Sequence, residues 1–213
     1  MKQLATSRAT ILAVIVVCLL GVACYGQKGV EDISKKCAVT QKSSEGWKRF
    51  YLEGPNEDAI CVYLPKKPDK FPGGKLRRGN TPVTADIYLV SDNQEIYTVA
   101  FLYDLPTRTE DMADDQKAEI FFGTWRGTVE QARAALEKMS GAPVDVKYVE
   151  QHKVNVMGHE GRVQLFKVGQ YLGQARIVFV EKKAYMLMGL WPPDRAEKRS
   201  SAFFDYFEMR VKQ

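Results

Sequence analysis

The chain has 213 residues, 45% of them hydrophobic and 27% charged, with a formal net charge of +5. These values are ordinary for a folded globular protein. Lys2 and Arg8 supply two of the charges, and what remains is too mild to argue for a nucleic-acid partner.

The first element is a leader. Residues 1–8 carry Lys2 and Arg8 and no acid, residues 11–23 (ILAVIVVCLLGVA) are free of charge, and small residues surround Cys24 and Gly26. A positive end, a compact apolar run and a small-residue boundary make an export signal over residues 1–26. Three ends are open to it. The stretch Leu20-Gly21-Val22-Ala23-Cys24 resembles a bacterial lipoprotein processing site, which would make Cys24 the lipidated N-terminus. Cleavage after Gly26 would release a soluble protein. The uncharged residues 9–27 approach the roughly 20 needed to span a bilayer, so an uncleaved anchor is the third. All three expect the bulk of the chain outside the cytoplasm, periplasmic or extracytoplasmic.

Residues 27–46 are polar and read as a tether, and a single domain is expected over residues 47–213. Removal or lipidation of the first two cysteines leaves Cys37 and Cys61, which in an oxidising compartment suggest one disulfide; two free thiols are the alternative. The bridge would close a loop worth roughly 3 kcal/mol in the chain-entropy model. Residues 47–53 and 59–64, aromatic and β-branched around Gly54-Pro55-Asn56, predict a hairpin. A basic run then carries Lys66, Lys67, Lys70, Lys75, Arg77 and Arg78 among three prolines and three glycines. It reads as a long exposed loop in which Lys75, Arg77 and Arg78 are candidate contacts for an anionic headgroup or an acidic partner. Residues 84–90 and 96–103 alternate apolar and other residues and predict a second hairpin.

After Pro106 the period changes. An acid-rich start predicts a helix over 110–122, interrupted by Gly123 and Gly127, and Thr128 with Gln131 forms a capping-box pattern for a second helix over 129–139, ended by Ser140-Gly141. Strands are predicted over 144–156, 162–168, 175–180 and 184–190. A last helix over 195–206, capped by Asp194, leads into a short strand over 207–211. The class is α+β, with helices packed against an antiparallel sheet.

Residues able to carry chemistry are sparse. His152 and His159 are the only histidines, and neither has a sequence setting that supplies a nucleophile and an orienting acid. No Cys/His spacing makes a metal site. The acids Glu110, Asp111, Asp114, Asp115 and Glu119 read as a solvated helix start, because a hard cation wants several oxygens in a fixed cage. Trp125, in an apolar segment, and Trp191, before two prolines, are candidate contacts for a partner or ligand if exposed and core residues if buried.

The stretches RVQLFKVG, ARIVFVEKKAYMLMG and SAFFDYFEMRV, preceded by a helix and by Gly158-His159-Glu160-Gly161, are similar to those of the bacterial exported relatives of PsbP, the extrinsic subunit of photosystem II. That resemblance implies an α/β/α sandwich around an antiparallel sheet, and a non-enzymatic accessory role without a cofactor; it carries over no metal ligands. The reading is an exported accessory or docking domain of an envelope or membrane-associated assembly, with an unidentified protein partner, no nucleic acid and a candidate lipid anchor at Cys24. The alternatives are a carrier or sensor of a small apolar ligand near Trp125, and a hydrolase using His159.

Overall fold

The computed structural model describes residues 46–78 and 81–211. In chain order these form β1 (Lys48–Glu53), β2 (Ala59–Leu64), β3 (Asp69–Arg78), β4 (Thr81–Asp92), β5 (Glu95–Tyr103), α1 (Asp114–Ser140), β6 (Val146–Val156), β7 (His159–Val168), β8 (Tyr171–Val180), β9 (Lys183–Trp191), α2 (Ala196–Phe204) and β10 (Glu208–Arg210). The α+β class with antiparallel strands and two helices holds. The expected single sheet does not: the described residues form two, of order β1-β2-β10 and β3-β4-β5-β9-β8-β7-β6.

Two meanders, β3-β4-β5 and β6-β7-β8-β9, are joined where β5 pairs with β9, Ile96 beside Leu190 and Leu102 beside Ala184. Both strands are apolar almost throughout (IYTVAFL, AYMLMGLW) because both faces of the sheet are covered at its centre. On one face α1 lays Ile120, Phe121, Trp125, Val129 and Ala132 over Ala100, Phe166, Ile177 and Met186. On the other, the small sheet and α2 bring Leu52, Ile60, Val62, Phe203 and Phe204 against Tyr97, Val99, Tyr185 and Leu187. The closing strand β10 pairs with β2 and not with the meander that precedes it.

Three local expectations are corrected. The basic run is a strand, β3, not a loop. Pro72 and Gly73 are absorbed by a bulge between Phe71 and Gly74, where Gly73 adopts φ +67° and donates its N–H to Asp86 Oδ1 at 2.8 Å. An edge position with a free N–H side tolerates the proline. The two predicted helices are one, α1, of 27 residues, with Thr128 and Gln131 inside it. A glycine costs about 1 kcal/mol in a helix, and the apolar face that runs across Gly123 and Gly127, from Phe121 through Trp125 to Val129, offsets that by burial. Its start is closed by Gln116 Oε1, which accepts the Ala113 N–H at 3.1 Å, and its end by Gly141 at φ +69°. Finally, Asp194 does not cap α2, which starts at Ala196 with no side-chain cap; it pairs with Arg195 at 3.7 Å.

Two buried carboxylates fasten the second layer to the large sheet. Glu95 accepts from Tyr97 Oη at 2.6 Å, Arg199 Nε at 3.2 Å and Arg195 Nη1 at 3.3 Å, which pins the start of α2 to the start of β5. Asp58, just before β2, accepts from Tyr185 Oη at 3.0 Å and pairs with Lys183 at 2.8 Å, which pins the small sheet to β9. Burial, and then the facing carboxylate, pushes each tyrosine hydroxyl up, so both stay protonated donors.

The start of α1 is fastened by charge to the β6–β7 hairpin. Asp114 accepts from Lys153 Nζ at 2.7 Å and Arg162 Nη2 at 2.9 Å, and buried Lys117 donates to Glu160 at 2.6 Å. The Lys153 hydrogen bond, with the charges of Lys153, Arg162 and Lys117, holds the Asp114 carboxyl below the usual carboxylate range. Its stabilisation is therefore present above its unfolded pKa of about 4 and is lost as pH falls through the lower folded value. The protection of the first turn of α1 against hydrogen exchange, relative to the intrinsic rate at each pH, should fall below about pH 4, and Asp114→Asn should remove that acid limb. At Gly173 the position of a Cβ is filled by the ring of Phe166 on the neighbouring strand. Gly173→Val should displace that ring, and thermal denaturation should show a loss of about 1–3 kcal/mol.

Candidate docking surface

Among the described residues β6 is an edge strand paired only with β7, and residues 147–153 are exposed without interruption, whereas residues 161–164 of β7 are buried. Its ladder slips once. Tyr148 faces Phe166 and Glu150 faces Leu165, which leaves Val149 as an extra residue in a bulge. The buried side chain of Gln164 locks that bulge: its Nε2 donates to the carbonyls of Glu150 at 2.8 Å and Leu165 at 2.7 Å. A buried amide satisfying carbonyls at a bulge makes the slip a built feature. Its consequence is outward: Val149 is 58% and Tyr148 48% exposed, side by side on a sheet edge.

The tyrosine rests on the core. Its ring meets Trp125 edge-on at 5.6 Å and Phe122 at 6.4 Å, and Trp125 in turn stacks on Phe166 at 5.1 Å with 17° between the planes. Trp125 is fully buried, so the exposed contact considered for it falls instead to Tyr148, which it supports from below. Trp191 is buried on the opposite face among Tyr97 and Phe204. Both tryptophans are core residues, and no apolar contact surface is formed by either.

The histidines are not brought together. His152 stands exposed beside Val163, with Nδ1 3.6 Å from Glu150, and half-buried His159 starts β7 beside Val156. Four ladder positions separate them along the hairpin, about 13 Å. Lys75, Arg77 and Arg78 run along β3, the opposite edge of the sheet, in register with Thr84, Pro82 and Thr81. Cys61 lies in the centre of β2; Cys24 and Cys37 lie outside the described residues. Among the described residues no group of three or more His, Cys, Asp and Glu is placed to hold a metal ion, and no helix is long and apolar enough to cross a membrane. Tyr148, Val149 and Gln164 were missed from the sequence; the visible signal was the charge density of residues 146–156, which marks a strand with little buried face.

No family model matches the chain, nor does any curated protein sequence. Among solved structures it is similar to the cyanobacterial PsbP (CyanoP) of Synechocystis sp. PCC 6803, with a TM-score of 0.45 and 11% identity over 82% of this chain and 97% of that one. It is also similar to PA94 of Pseudomonas aeruginosa, a protein of unknown function, with a TM-score of 0.31 and 10% identity over 64% of this chain and 91% of that one.

Proposed function

We propose that this is an exported, non-enzymatic accessory domain, a PsbP-like α/β/α sandwich in the wider sense, that docks onto an envelope or membrane-associated assembly through the β6 edge. The observation that carries the reading is the locked bulge, which presents Tyr148 and Val149 beside a row of backbone donors and acceptors left unpaired by any neighbouring strand among the described residues. An edge of that kind takes an extended segment of a partner protein, with main-chain hydrogen bonds giving affinity and an apolar side chain seated on the Tyr148–Val149 pair giving register. Lys147 and Glu150 flank that pair, so an acidic residue on one side of the partner's apolar one and a basic residue on the other suit it. The side chains that could do chemistry support the same reading, because Asp58, Glu95, Asp114, Lys117 and Glu160 are spent on holding layers together.

The leader completes the proposal. Cys24 becomes a lipidated N-terminus, and the residues that follow hold the domain at the membrane surface on the outer side. Two acyl-type anchors are what stable attachment requires, and the lipoprotein reading supplies them.

A photo-crosslinking side chain placed at position 149 in living cells should give one discrete protein adduct. The same group at position 197, on the exposed side of α2, should give none, and Tyr148→Asp should abolish the adduct while lowering stability by only about 1 kcal/mol, too little to unfold the domain. Equal adducts from both positions would remove the docking edge. Intact mass of the protein from its native membrane should begin at Cys24 with added acyl chains; a mass beginning at Gln27 would remove the anchor and leave a diffusible factor.

A further inference from the structure

The bulge in β6 also moves the alternation of the strand by one position. Val146 packs against the core under α1, and Val156 against the core on the opposite face. They are an even number of positions apart, so an unbroken strand would put both on one face. Before the bulge, therefore, odd-numbered residues face away from α1, and after it even-numbered ones do. Lys147 and Glu150 stand on that same face, on either side of Tyr148 and Val149. Lys147 also lies directly opposite Lys167 of β7; both are exposed, and among the described residues no carboxylate pairs with either. Like charges opposed across a ladder are unfavourable until a carboxylate joins them. Lys153, further along the strand, already has Asp114 at 2.7 Å.

We propose, on the docking reading above, that the segment seated on the β6 edge is β6 of a second copy of this chain, antiparallel across a two-fold axis that passes between Tyr148 and Val149. In this register Lys147 faces the second copy's Glu150 and Tyr148 faces its Val149. The axis repeats every contact, so Val149 faces Tyr148 and Glu150 faces Lys147. Two ion pairs then bracket the apolar side chains, and each Lys147–Lys167 pair gains a carboxylate. Only the bulge permits this. Opposed residues must share a face, and in an unbroken strand residues three apart do not; here Lys147 and Glu150 do. A regular strand laid on this edge must leave Val149 unmatched, as β7 does. A second copy carries the same extra residue at the same place, so neither strand has one left over. Centring the axis on Glu150 instead would set two carboxylates against each other.

The axis stands perpendicular to the sheet, so both copies keep α1 on the same face and the two seven-stranded sheets run on as one. One strand edge offers less than the roughly 800 Å² per partner of a stable soluble complex, which makes this a weak contact. The proposed anchor supplies the high local concentration that such a contact needs. The assembly at the envelope then holds at least two copies of this chain.

The test uses the full chain in living cells, with the photo-crosslinking group at position 149. The adduct should have twice the protomer's mass. Lys147→Glu, and separately Glu150→Lys, should each reduce it at least about tenfold, because two ion pairs become two like-charge pairs. Both positions are exposed, and Lys147→Glu places an acid opposite Lys167, so the fold does not lose by it. Co-expressing the two variants should restore the adduct, since each supplies the charge that the other needs. An adduct with a different protein would overturn the self-pairing and leave the docking edge standing. No adduct at all would remove the edge, and the self-pairing with it. A self-adduct that survives Lys147→Glu, or one that the mixture does not restore, would overturn the proposed register.

Discussion

The pairing of β5 with β9 is the constraint on which the rest of the structure depends. It joins two local meanders, each of which could form from adjacent strands, into one seven-stranded sheet, and it does so between residues more than eighty positions apart. Such a contact is entropically expensive to close and is made only because both strands bury apolar side chains on both faces. Everything between them must accommodate it. The chain leaves the end of β5 and has to reach the far edge of the sheet before β6 can begin. That crossing is made by α1, whose 27 residues give a rod of about 40 Å that touches both β3 and β7.

With two faces to cover, the chain supplies two unlike lids. One is α1, held by its aromatic face at Trp125 and by ion pairs at its first turn. The other combines a small sheet with a short helix, which bury Leu52, Ile60, Val62, Phe203 and Phe204. Buried carboxylates set how they sit. A charge without water is costly unless it is fully paired, so Glu95 and Asp58 permit only the arrangement in which their partners arrive together. These contacts supply register more than net stability.

The edge strand β6 shows the opposite economy. It buries little: Tyr148 rests on Trp125, while Val146 and Val156 pack against the two cores near its ends. A bulge fixed by a buried glutamine turns the local twist and places two apolar side chains in water. A strand retained at such a poor return in buried area, and shaped so closely, is consistent with the proposed partner edge, whereas the basic strand at the other edge is broken by proline and glycine.

The sequence by itself determined the class, most strands and their hairpins, because period-two alternation and turn residues are local signals. The strands from β5 through β9 were legible within a few residues, as was the αL stop at Gly141. The charge and apolar pattern of residues 1–26 is equally local. What only the tertiary structure decided was whatever depends on neighbours distant in sequence. Glycines that read as a break lie inside α1 because the core beneath Trp125 outweighs their cost. Prolines that read as a loop lie in β3 because β4 accepts a bulge. The final strand leaves its meander for β2, and Tyr148 rather than Trp125 meets solvent, because burial is a property of the layer that arrives on top and no residue carries that information in its own neighbourhood.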